Sequence, residues 1–225
     1  PDYWPQTARW LDAHAGSREH PNRALVVPGS PFASQIWGLT RDEPLQGLAK
    51  TPWAVRDSIP LTPPGAIRAL DTVQRNIADG LATPDLATTL AAQGIRYVVL
   101  RADLDPQTSR STRPLLAQQA IAGSPGLTRV AEFGEPVGPH YVRDVVGDDG
   151  LRPRLPAVQI FSVDAPTDFD GTGPSLVTLS EMPRIAGGPE AAVDGPSILD
   201  ADARRAGLPA APTIATDTPT DREVD

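Results

Sequence analysis

No regular element can run far in this chain, because 26 prolines and 19 glycines are spread through its 225 residues. Proline fixes φ and removes a backbone donor, and glycine readily takes the left-handed backbone that ends a helix, so the two cut the sequence into short segments. Their share, one residue in five, stays below the roughly 25–30% that marks a disordered low-complexity chain. The expectation is an ordered domain with short elements and long Pro-rich loops. With 40% apolar residues the length suffices for one large domain or two small lobes around a core.

The segments between these breakers alternate in period. Trp4, Ala8, Leu11 and Ala15 form a helical stripe that Gly16 stops, and Arg23–Val27 reads as a buried strand closed by Pro28-Gly-Ser-Pro31. Thr62-Pro-Pro-Gly opens a helix with a stripe at Ile67, Leu70, Val73 or Gln74 and Ile77, ended by Gly80. Thr83-Pro-Asp repeats the same start, followed by Leu86 and Leu90 and stopped at Gly94, which gives two stacked helices. Ile95-Arg-Tyr-Val-Val-Leu-Arg101 is the clearest strand, followed by a helix over 112–122. Runs 127–133 and 140–145 read as a closing hairpin around Gly134–Pro139. Gly147-Asp-Asp-Gly150 reads as a hinge, followed by strands at 157–163 and 176–179, a helical turn from Gly187 and a helix over 198–206.

This alternation predicts an α/β fold, a mixed sheet with flanking helices. The organisation it suggests is a lobe over 1–147, a smaller continuation or second lobe over 148–211, and a polar linker over 212–225. A start on Pro1 with Met182 as the only methionine reads as a piece of something longer.

Charge and composition narrow the function classes. A net charge of -8 gives nothing for a phosphate backbone to release counterions onto, so nucleic acid is not expected as a partner. Without cysteine there is no disulfide, thiolate nucleophile or Cys-zinc site. No run reaches the roughly 18 apolar residues of a membrane helix. His14, His20 and His140 are scattered without an i, i+4 pair, which speaks against a histidine metal site. No cofactor motif is evident, and a divalent cation is left open: Asp164, Asp168 and Asp170 could hold a hard cation, but glycine and glutamate fall at the wrong spacing for an EF-hand, and a solvated turn is the simpler reading.

The stretch from Phe32 to Leu61 has poor periodicity, with Pro44, Pro52 and Pro60 about eight residues apart. A long irregular segment inside a compact domain is usually functional or poorly ordered. It carries Trp37, Arg41, Asp42, Glu43, Trp53, Arg56 and Asp57. Indole faces stack on sugar rings while Arg and carboxylates bind hydroxyls, so these are the candidate substrate- or partner-contacting residues; the bland alternative is core plugs and surface ion pairs. Asp103 and Asp105 follow the clearest strand, where α/β sheets place working carboxylates, or they cap the loop. No Gly-x-Ser-x-Gly, Walker or Gly-x-Gly-x-x-Gly motif occurs, so no catalytic residue is assigned.

At Arg23-Ala-Leu-Val-Val-Pro-Gly-Ser-Pro-Phe32, continued by Trp37-Gly-Leu-Thr-Arg-Asp-Glu-Pro-Leu-Gln-Gly-Leu-Ala-Lys-Thr-Pro-Trp53 and on to Gly65, the chain resembles the mycobacterial alpha-(1,3)-arabinofuranosyltransferases. Ile95–Arg101 and the stretch from Gly187 to Asp225 share the likeness. The resemblance implies a large GT-C type enzyme of the cell membrane that moves arabinofuranose from a decaprenyl-phosphate carrier to arabinan of arabinogalactan and lipoarabinomannan. It also implies that this piece lies on the extracytoplasmic face, between a membrane-embedded catalytic core and downstream carbohydrate-binding modules. The catalytic acid of such enzymes belongs to a loop beside the membrane helices, so the piece by itself is expected to be inactive. A stand-alone glycan-binding domain or a structural spacer are the alternatives.

Overall fold

Ile95–Arg101 becomes the middle strand of a five-stranded sheet in a computed structural model that describes residues 1–17, 22–30, 33–57, 64–105, 108–109, 111–138, 153–164, 184–186 and 214–216. In chain order the elements are α1 (Tyr3–Ala13), β1 (Arg23–Ser30), β2 (Ala33–Gln35), β3 (Gly38–Arg41), a 3-10 turn (Pro44–Gly47), β4 (Trp53–Asp57), α2 (Pro64–Ala78), α3 (Leu86–Ala92) and β5 (Ile95–Arg101). They continue with α4 (Pro114–Gly123), β6 (Leu127–Val137), β7 (Leu155–Val163), β8 (Arg184–Ala186) and β9 (Ile214–Thr216). The sheet order is β4-β1-β5-β7-β6, with β4, β1 and β5 parallel and β5, β7 and β6 antiparallel. The expected mixed α/β sheet is therefore what the chain forms.

The central strands are apolar at consecutive positions because both faces of the sheet are covered. Leu25, Val27, Val98, Leu100, Phe161 and Val163 point to one side, where Val73 and Ile77 of α2, Leu86 and Leu90 of α3, and Ile121 of α4 meet them. Ala24, Val26, Val99, Val158 and Ile160 point to the other, against Trp4, Ala8 and Leu11 of α1 and Leu45 of the 3-10 turn. Each fully buried aliphatic side chain contributes about 1.5–3 kcal/mol. The periodic stripes of α1 and α2 thus settle onto opposite faces of one sheet, giving three layers.

Several local expectations are corrected. β1 does not close at Val27 but runs through Pro28-Gly29 to Ser30. Gly29 permits this: a Cβ there would lie 2.2 Å from the Arg56 carbonyl oxygen of β4. Gln74 of α2 clips the same peptide, accepting from the Gly29 N–H at 3.0 Å and donating to its carbonyl at 3.3 Å. The segment 32–61 is not a plain loop among its described residues, since it holds β2, β3, the 3-10 turn and β4. Each is short because a proline or glycine bounds it. The helix neighbour of α2 is α4, not a stacked α3.

β6 does not turn back at Gly134. It passes through that residue at φ +82° to Val137 and pairs with β7. β7, apolar on both faces, needs a partner on each edge and finds β5 on the other side. Pro136 is tolerated because β6 is the outer strand among the described residues. Residues 155–163 lie in the same sheet as β1 and β5. β8 and β9 pair in parallel as a separate two-stranded sheet. The expected strands at 140–145 and 176–179, the hinge at 147–150, and the elements at 187 and 198–206 lie outside the described residues.

Candidate functional site

The parallel strands β1 and β5 end on the same side of the sheet, and the chain leaving β5 carries two charged residues onto the α1 face, Arg101 and Asp103. Period-two alternation puts them on one side of the strand. Both are fully buried. Asp103 Oδ2 accepts hydrogen bonds from Tyr3 Oη at 2.9 Å, Trp4 Nε1 at 2.8 Å and Trp37 Nε1 at 2.9 Å. Bonds to a charged acceptor are each worth roughly 1.5–3 kcal/mol, so this one oxygen ties the start of α1 and the β2–β3 turn to the end of β5. Burial, and after it the Asp103 charge and hydrogen bond, push the Tyr3 hydroxyl well above its ordinary value and keep it a donor.

The backbone reinforces the joint. Ile36 N–H donates to the Asp103 carbonyl and Asp105 N–H to the Ser34 carbonyl, each at 2.9 Å, and Gln35 bridges Leu104, so residues 103–105 run as a further strand along β2. Arg101 extends inward, where Nη1 pairs with Glu43 Oε2 and Nε donates to the Pro28 carbonyl at 3.0 Å. The Glu43 pair fixes the entry to the 3-10 turn against the sheet. Three donors share Asp103 Oδ2, while Oδ1 is buried with no hydrogen-bond partner among the described residues. Among the described residues no group of acids and histidines could hold a metal ion.

The candidate residues part company. Trp37 sits in the turn between β2 and β3 with its N–H turned inward and its ring 39% exposed. Gly38, at φ +151°, closes this turn in a backbone that a side chain would strain. Arg41 follows at φ +64°, exposed, its guanidinium without a partner among the described residues. Asp42 is exposed and uses its main-chain carbonyl to accept from Thr40 Oγ1 at 2.6 Å. Glu43 is buried. Trp53 lies at the amino end of β4 in register with Ala24, half-buried against the α1-side core and at the opposite end of the sheet from Trp37. Arg56 makes a partly exposed ion pair with Asp71 of α2, and Asp57 pairs along the backbone with Ser30. The structure brings Trp37, Arg41 and Asp42 together on one hairpin, and it places Glu43 and Arg56 in ion pairs and Trp53 against the α1-side core.

Sequence reasoning missed Tyr3, Trp4 and Arg101 as members of this joint. Trp4 was visible only as a helix stripe, and its N–H contact spans 99 positions. The available signal was Arg101 itself, a charged residue ending a strand otherwise buried on both faces, where charges are rare unless paired. His14 stacks on Trp10 with ring centroids 3.9 Å apart, a packing role. Asp164 accepts from Ser162 Oγ at 2.9 Å, while Asp168 and Asp170 lie outside the described residues.

Comparison with known proteins gives a consistent result. The family described as "Alpha-(1->3)-arabinofuranosyltransferase, N-terminal GT-C domain" matches residues 1–225. The chain is 54% identical to the alpha-(1->3)-arabinofuranosyltransferase of Mycolicibacterium smegmatis and 51% identical to that of Mycobacterium tuberculosis, with 100% of this chain and 17% of each relative covered. Its fold superposes on a single-particle cryo-EM structure of arabinofuranosyltransferase AftD from mycobacteria with a TM-score of 0.80 at 53% identity, covering 96% of this chain and 16% of that one. The chain thus spans 17% of the length of the curated relatives it matches. No helix among the described residues is long and apolar enough to cross a membrane.

Proposed function

Because the chain belongs to the alpha-(1->3)-arabinofuranosyltransferase N-terminal GT-C domain family, we propose that it is one part of a membrane glycosyltransferase that moves arabinofuranose from decaprenyl-phosphate-arabinose to the arabinan of arabinogalactan and lipoarabinomannan. The observation that carries this reading is identity of 54% along the whole chain, joined to a fold that superposes on the same kind of enzyme. The part it plays is to hold and orient, not to perform the chemistry. A nucleophile or general base needs a partner within hydrogen-bond reach and room for a substrate; Asp103 spends one oxygen on three internal donors, and Glu43 is committed to Arg101.

In this reading the sheet stands on the extracytoplasmic face beside the membrane-embedded catalytic core, with carbohydrate-binding modules further along the parent. Trp37, Arg41 and Asp42 are the members of the candidate set left at the surface to meet a partner. Replacing these 225 residues in the full-length parent by a flexible linker of matched span is the test. Loss of arabinose transfer to an arabinan acceptor supports the reading, and full transfer without the segment overturns it.

A further inference from the structure

The tip of the β2–β3 hairpin exposes three large apolar side chains in a row of four residues, Ile36 at 53%, Trp37 at 39% and Leu39 at 61%. We infer that this tip is a membrane-interface anchor, a preformed wedge that seats in the headgroup region of a phospholipid bilayer. Two features favour lipid over a glycan. The indole N–H of Trp37, the ring's one polar group, is already spent on buried Asp103, so the exposed remainder of the ring is hydrocarbon. Its neighbours on the tip are aliphatic, where a sugar site would place donors and acceptors.

Charge argues in the same direction. The chain as a whole carries -8, yet residues 33–41 contain no acid; Arg41, whose guanidinium is unpaired among the described residues, stands at the base of the tip with the exposed Asp42 next to it. The acid-free apolar tip complements the hydrocarbon boundary, and Arg41 at its base lies within reach of the phosphates above it. The wedge is held rigid by Trp37 on Asp103 and by the backbone bonds of Ile36 to Asp103 and of Asp105 to Ser34, so seating it requires little further ordering. Three side chains give only weak binding by themselves. That is sufficient in a tethered parent, where the local concentration of membrane is high.

The inference rests on the reading of the parent as a membrane enzyme, but its test involves no sugar transfer, so the two can fail separately. The 225-residue chain is mixed at millimolar lipid with vesicles of phosphatidylcholine, alone or with phosphatidylglycerol, and binding is followed by flotation and by quenching of tryptophan emission with brominated lipid. Partition to both vesicle types is expected. Leu39→Ser and Ile36→Ser should each lower it roughly tenfold without changing the melting temperature, because both side chains are exposed. Arg41→Gln should lower only the phosphatidylglycerol component, by about fivefold. Absence of partition, or partition unaffected by the Ser variants, overturns the anchor. So does either of two other outcomes: self-association abolished by Leu39→Ser, which makes the tip a protein interface, or emission changes with oligo-arabinofuranosides in place of lipid, which makes it a glycan site.

Discussion

Asp103 ties three elements together, because removing it would leave the Tyr3 hydroxyl and the Trp4 and Trp37 indole N–H groups without an acceptor at the joint of α1, β5 and the hairpin. Asp103→Ala should lower stability by about 3–5 kcal/mol, read as a large drop in the denaturant midpoint; a midpoint near wild type would mean the three donors find water instead. Tyr3 adds a pH signature. Its hydroxyl is held above the ordinary value by burial first and by Asp103 second, so the neutral form is favoured in the folded chain. That contribution is whole below the unfolded tyrosine value of about 10 and is lost as pH rises above it toward the folded value. Alkaline unfolding should therefore be shallower in Tyr3→Phe, and identical alkaline limbs would contradict the assignment. The two ion pairs should differ in kind. Breaking the buried Glu43–Arg101 pair with Glu43→Ala should cost about 3–5 kcal/mol and be partly recovered by adding Arg101→Met, whereas Arg56→Ala, at a pair left 30% and 43% exposed, should cost no more than about 1 kcal/mol. Equal losses for the two pairs would refute the distinction. The sequence made Asp103 legible as a carboxylate after a strand, but not its role: its partners lie 66 to 100 positions away, and one-dimensional spacing carries no information about such contacts.

Among the elements, β1 and β5 were legible because apolar runs buried on both faces look alike in any context, and α1 and α2 because their stripes have the helical period. Val98 is fully buried between the two layers. Val98→Asp should therefore leave an uncompensated charge in the core and cost several kcal/mol, about 3–5 by comparison with broken buried pairs; a soluble variant with an unchanged melting temperature would show that β5 is not central. The reading went astray where pairing, not propensity, decides. β6 was expected to fold back on the nearest apolar run, as neighbours in sequence usually do. Its partner among the described residues is β7, which begins at Leu155 and also pairs with β5, while 140–145 lies outside the described residues. The 32–61 stretch lacked periodicity because its strands are only three to five residues long, too short for alternation to stand out from the prolines around them.

At the scale of the molecule, three parallel strands and an antiparallel pair make one five-stranded sheet covered on both faces, whose carboxyl-end edge carries the Asp103 joint and the exposed hairpin above it. The family was legible in the sequence from long shared strings, and the comparisons bear it out. What the chain does within the larger protein was not legible, because its sequence holds no motif that names a nucleophile, base or metal site. The central claim is that these residues belong to an arabinofuranosyltransferase without carrying its catalytic groups. The most direct measurement is the initial rate of arabinose transfer from polyprenyl-phosphate-arabinose to an arabinan acceptor, taken side by side for the full-length parent and for the purified 225-residue chain. The account predicts transfer by the parent and none above background by the chain, and turnover by the chain alone would contradict it.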